Sequence, residues 1–234
     1  MSNPTVVLVH GALTGSSVWR DVVVGLQRAG HHVVAPSLPL RGLASDVAYL
    51  ESVLRSIDGP VVLVGHSYGG AVVSDTAFAS PQVCGLVFVA AFQPDDGETA
   101  GALNGLFEGA KLGPDTTVVV PYPGGDELYL KQEDFREVYA GDVPEAVAAA
   151  MAASQRPIDP SALGEPLRGP ASWKTVPSWA LVATRDFSLP PAVLRFMAQR
   201  AGSKTVEVDS SHAVPVAHPD AVVDLVADAL AHVR

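Results

Sequence analysis

Three residues in this chain have the types and order needed to open a carbonyl. They are Ser67 in GHSYGG (65–70), Asp186 in VATRDFSLPP and His212 in VDSSHAVP. A serine hydroxyl attacks poorly until a neighbouring base takes its proton, and an imidazole does so best when a carboxylate fixes its tautomer. The surroundings of Ser67 suit a nucleophile. A Val-rich run precedes it and a helical pattern follows, so G-x-S-x-G falls on a strand-to-helix turn. A serine held on so sharp a turn needs neighbours without side chains, which Gly65 and Gly69 supply, and Gly70 lets the helix pack close to the strand.

A tetrahedral intermediate needs two N–H donors for its oxyanion. The residue after the nucleophile, Tyr68, offers one, and the loop after the first strand, HGALTGSSVW (10–19), offers the other, with Ala12 as the expected donor. His10 reads as a buried hydrogen-bonding residue beside that loop.

Seven histidines compete to be the base. His31 and His32 precede a strand far from the elbow, His232 lies in the last helix and His218 begins it. His66 is adjacent to Ser67 and is expected to point the opposite way. His212 follows the last strand, at the carboxyl edge where open parallel sheets place their sites. By the same logic Asp186 follows the fifth strand. Asp95 and Asp96, after the fourth strand, stay open as rivals for the acid, and Asp209 reads as structural.

The elements that must hold these groups follow from periodicity. Runs at 5–10, 32–37, 60–65, 83–90, 178–184 and 204–208 read as buried strands, with helices near 17–29, 45–57, 68–79, 190–201 and 219–232. Alternating strands and helices predict an α/β fold: a doubly wound, six-stranded, mostly parallel sheet in one domain over 1–234. The rhythm breaks at about 93–174, too long for a crossover, and this predicts an inserted helical cap over the site. Asp142, Pro144 and Glu145 read as a helix start with a capping box. Gly11 and Leu13 beside the elbow, and Phe92, Leu106, Phe107, Phe135 and Tyr139 in or near the cap, are the candidate substrate-lining residues.

Composition narrows the partners. At 48% hydrophobic and 17% charged residues the chain is globular, and a net charge of −10 offers no basic footprint for nucleic acid or an anionic membrane. The single Cys84 excludes an intramolecular disulfide. The opening MSNPTVVLVHG lacks a basic region and a cleavage site, so a cytoplasmic location is expected. The histidines lack metal-ligand spacing and the glycines lack a nucleotide-loop pattern, so no metal or cofactor is expected. Monomer and homodimer stay equally open.

With VLVHGA, GHSYGG, ATRD and SSH in this order, the chain resembles the α/β-hydrolase superfamily along its whole length. More narrowly it is similar to the branch of plant methylesterases, hydroxynitrile lyases and bacterial esterases. That resemblance implies a six-stranded sheet, a helical cap before the acid-bearing strand, and a Ser67–His212–Asp186 triad acting on a small apolar ester or lactone. The lyases of the branch carry threonine and lysine where this chain has Gly11 and Ala213, and dehalogenases carry aspartate in place of Ser67. Two alternatives accompany the resemblance. One is a non-hydrolytic ligand receptor of the same fold; the other is perhydrolysis, C–C hydrolysis or acyl transfer on the same triad.

Overall fold

The computed structural model describes residues 3–233. Its first half alternates as the periodicity predicts: β1 (Thr5–Val9), α1 (Arg20–Arg28), β2 (Val33–Val34), α2 (Leu43–Leu54), β3 (Val61–His66), α3 (Gly69–Ala79) and β4 (Val83–Val89). Then comes the long insertion, and after it β7 (Ser178–Ala183), α7 (Pro191–Ala201), β8 (Lys204–Val208), α8 (Val214–Ala217) and α9 (Pro219–His232). The main sheet has the order β2-β1-β3-β4-β7-β8 and every pairing in it is parallel. Every residue of β1, β3 and β7 is buried, because helices cover both faces of such a sheet. Strand order reverses at β1 and β3, so the loops leaving those two strands diverge and open a crevice between them.

Two boundaries moved for physical reasons. The strand expected over 32–37 shrinks to Val33–Val34, because the chain leaves the sheet to give the Leu38 N–H to His10 Nε2 at 2.9 Å. The first helix is shorter than expected, since 16–19 forms a 3₁₀ turn ahead of it.

Between β4 and β7 lie α4 (Ala100–Asn104), β5 (Thr117–Tyr122), β6 (Gly125–Leu130), α5 (Gln132–Val138) and α6 (Glu145–Ala153). The antiparallel β5–β6 hairpin was not foreseen by the reading of an all-helical insertion. The capping-box expectation also fails. Pro144 stands at the N-cap of α6 and caps nothing with a side chain, while Asp142 makes its bonds elsewhere. Cys84 is half-buried; its Sγ donates to the Val61 carbonyl and burial raises the thiol pKa above its ordinary value.

Among the described residues, no helix is long and apolar enough to cross a membrane.

Candidate active site

β3 delivers the chain to Ser67, which sits at φ 54° before α3 begins. A non-glycine residue in this left-handed region carries strain of roughly 1–3 kcal/mol, so its neighbours must over-determine it. They do so through Ser67 itself, whose carbonyl accepts from Gly70 N–H at 2.9 Å and Phe92 N–H at 3.1 Å. The glycines make the turn sterically feasible. A Cβ on Gly65 would lie 2.8 Å from the backbone of Gly69 and Gly70, and one on Gly69 would overlap the Val9 carbonyl. The elbow is thus wedged between the ends of β1 and β4.

The loop after β1 closes on the same point. A Cβ on Gly11 would stand 2.6 Å from Ser67 Cβ, so only glycine lets this loop approach. His10 holds the loop from beneath: Nε2 accepts from Leu38 N–H, so Nδ1 carries the hydrogen and donates to the Gly11 carbonyl at 2.8 Å. Burial lowers its pKa to about 4, and with both nitrogens committed it is a neutral anchor. Among the described residues, neither the Ala12 N–H nor the Tyr68 N–H donates to any protein acceptor. Tyr68 is fixed by its side chain, whose hydroxyl donates to Asp46 at 2.9 Å.

Across the crevice, His212 Nδ1 meets Asp186 Oδ2 at 2.6 Å, both residues 1% exposed. Asp186 is itself held, its Oδ1 accepting from Ser188 and Leu189 N–H at 2.8 Å each. The rival acids lie elsewhere: Asp95 pairs with Lys174 and Asp96 is exposed, while Asp209, read as structural, is exposed and pairs with Arg185 at 2.6 Å. His66 does not face the nucleophile, yet its ring lies 4.8 Å from that of His212. Its Nε2 donates to the His212 carbonyl at 2.9 Å, and burial holds its pKa well below the ordinary value. It is a neutral brace for the histidine loop, a role the sequence did not disclose.

Ser67 and His212 line one narrow cavity of about 60 Å³, with Ala12, Leu13 and Phe92 around them. Other expected lining residues lie outside it. Tyr139 stands behind the imidazole, edge-on at 4.7 Å, and Phe135 stacks on Tyr139 at 5.1 Å. Phe107 is on the surface against Phe196, and Leu106 is half exposed. Gly11 lies under Ser67 and touches the site only through its backbone. Tyr68 and Ser188 also line the cavity, and the insertion adds Ala100, Asn104, Leu112 and Leu163 among others. Periodicity marks most of these insertion residues as apolar without saying which cavity they enclose, nothing in the sequence marks Asn104, and sequence reasoning missed them.

The sequence profile of the Alpha/beta hydrolase family matches residues 6–225. The chain belongs to this family. As an alpha/beta hydrolase it is similar to a carbendazim hydrolyzing esterase of Nocardioides sp. strain SG-4G, 37% identical over 42% of this chain and 46% of that protein. It is also similar to methylesterase 7 of Arabidopsis thaliana, 38% identical over 38% of this chain and 40% of that protein. The chain therefore matches less than half the length of these two curated relatives. A pyrethroid hydrolase of Sphingobium wenxiniae aligns more fully, 28% identical over 97% of this chain and 88% of that protein. The crystal structure of a pyrethroid hydrolase from Sphingobium faniae superposes with a TM-score of 0.83 at 24% identity, covering 99% and 98% of the two chains, and so shares the fold. The methylesterase match supports the esterase and methylesterase branch that the motifs resemble.

This member of the alpha/beta hydrolase family ties the loops at the carboxyl edge of its sheet to the insertion at several points. The Ala213 N–H donates to the Tyr139 carbonyl at 3.0 Å, and Ser188 Oγ to the Val138 carbonyl at 3.0 Å. Asp142 accepts from the Ser211 N–H at 3.2 Å and from its hydroxyl, and His218 Nε2 lies 3.2 Å away. Burial pulls the Asp142 carboxyl upward, but its hydrogen bonds from Ser211 outweigh that and leave it below its ordinary value. Residues 138–142 thus clamp both the Asp186 loop and the His212 loop.

Proposed function

We propose that this chain is a serine hydrolase that cleaves a small apolar carboxylic ester or lactone through an acyl-enzyme. The observation that carries the reading is the convergence of Ser67 and His212 on one cavity, with His212 Nδ1 held by Asp186 at 2.6 Å. The carboxylate fixes the hydrogen on Nδ1, leaving Nε2 free to accept the Ser67 proton once the two side chains come within about 3 Å. Ser67 Oγ then bonds to the carbonyl carbon, and the Ala12 and Tyr68 N–H groups receive the oxyanion. The tetrahedral intermediate collapses as His212 gives its proton to the departing alkoxide. Water, deprotonated by His212, next attacks the acyl-serine; the acid leaves and the proton returns to Ser67. Each oxyanion donor contributes on the order of 10²–10³ in rate.

The relatives named as esterases and methylesterases support an ester as substrate. The mostly apolar walls and small volume of the cavity favour compact acyl and alcohol groups.

The test is p-nitrophenol release from acetyl and butanoyl esters by the parent and by Ser67→Ala. Turnover by the parent that disappears in the variant is expected. A folded parent that turns over neither ester, or a Ser67→Ala protein that keeps its rate, would overturn the reading.

A further inference from the structure

The cavity around Ser67 is apolar except for a few groups, and nearly all of those are already engaged. Ser188 Oγ donates to the Val138 carbonyl, the Tyr68 hydroxyl donates to Asp46, and Ser67 and His212 belong to the proposed chemistry. Asn104 is different. It ends α4, lines the cavity, and its Oδ1 is shut off from solvent without accepting a hydrogen bond from any described residue. A buried amide oxygen left unpaired costs about 1–3 kcal/mol. Its neighbours across the cavity, Leu112, Leu163 and Leu189 among them, have no side-chain donor to give.

We propose that Asn104 is a specificity-determining residue whose Oδ1 accepts a hydrogen bond from the substrate. The preferred substrates are esters or lactones carrying an O–H or N–H on the acyl or alcohol part, away from the scissile carbonyl. This rests on the ester-hydrolase reading and names the substrate class of that same cavity. A buried acceptor discriminates more sharply than an apolar wall, because a substrate lacking the donor leaves the oxygen unpaired in the complex as well.

Two matched sets test it. On the acyl side they are ethyl 3-hydroxybutanoate, ethyl 3-methylbutanoate and ethyl 3-oxobutanoate, which place a donor, a methyl group and a pure acceptor at one position. On the alcohol side they are 2-hydroxypropyl and 2-methylpropyl butanoate. Acid release would be followed for the parent, Asn104→Leu and Asn104→Ala, with a melting curve for each. The parent should favour the hydroxy ester over its methyl partner in kcat/KM by about tenfold or more on one side of the ester. In both variants that ratio should fall to within about threefold of unity. Hydrolysis of every ester without discrimination would sink this proposal and leave the hydrolase reading intact. So would a preference for the oxo ester, or a hydroxy preference that survives both substitutions. A Leu variant that only melts higher, with its substrate ratio unmoved, would make the unpaired oxygen a packing defect and end the proposal too. Failure of a folded parent to hydrolyse any of the five would end this proposal, and failure on the p-nitrophenyl esters as well would remove the hydrolase reading.

Discussion

The central sheet and the segment threaded between β4 and β7 contribute to the site in different ways. The sheet presents the groups proposed to react: Ser67 after β3, Asp186 after β7, His212 after β8 and the Ala12 loop after β1 all emerge from one edge. The insertion contributes none of these. It provides much of the cavity wall through Ala100, Asn104, Leu112, Leu128, Ile158 and Leu163, and it grips the histidine loop through Tyr139 and Asp142. On the proposed reading, chemistry is placed by the topology of the sheet and substrate choice by a segment with fewer constraints. The exposed Val118, Val119 and Val120 of its hairpin mark how loosely that segment is held to the rules of a buried core.

The largest effect should come from separating acid from base at the sheet edge. Asp186→Asn keeps the side-chain shape but no longer fixes the imidazole tautomer, and ester turnover should fall by about 10³–10⁴ in kcat. Asp95→Asn, which only loses its Lys174 partner, should change kcat by less than about threefold. A steady-state comparison of the two variants decides the point. Equal losses would mean that the sheet edge does not hold the acid at Asp186.

A second contrast concerns a charge within the core. Asp46 is fully buried on α2, where it accepts from the Leu40 N–H at 2.8 Å and from the Tyr68 hydroxyl. Burial raises its pKa from 3.8 to about 6 despite those bonds. The folded protein therefore holds a proton on Asp46 between these values that the unfolded chain has released. This group's contribution to stability is greatest below pH 3.8 and is lost as pH rises through about 6. Asp46→Asn has no such titration. Its stability relative to the parent should rise by about 2–3 kcal/mol between pH 4 and pH 6.5, then stay level. Urea unfolding at several pH values measures it, and a constant difference across the window would show that Asp46 titrates normally.

The same division explains what could be read from the sequence. The sheet edge was legible because its signals are local: glycines at fixed offsets from Ser67, a strand directly before Asp186 and before His212, and a chain order set by the fold. The insertion was not. Asp142 carries a helix-start pattern, yet its carboxylate spans 69 residues to reach Ser211, and no local pattern encodes such a contact. The hairpin did leave a trace in TVVVPYPGGDELYL, where a Pro-Gly-Gly turn separates two runs, but Pro121 within the first run argues against a strand. The aromatic residues were misplaced for a related reason. Tyr139 and Phe135 are large and apolar, and they pack behind His212 rather than in front of it.

A smaller effect than that of Asp186→Asn, and the most direct probe of the insertion's part, should come from Asp142→Ala. The substitution removes two hydrogen bonds to Ser211, the residue before His212, and leaves every group in the cavity in place. His66 and Tyr139 still brace the imidazole, so the ring should loosen rather than leave its position. A misplacement of a full ångström costs about 10² in rate, and a looser restraint should cost less, about tenfold in kcat. Because the cavity wall is untouched, KM should move by less than about threefold. A loss confined to KM would assign Asp142 to the shape of the pocket instead. An unchanged kcat with a lowered melting temperature would make the clamp a matter of folding alone, and would leave the sheet edge sufficient to hold His212 by itself.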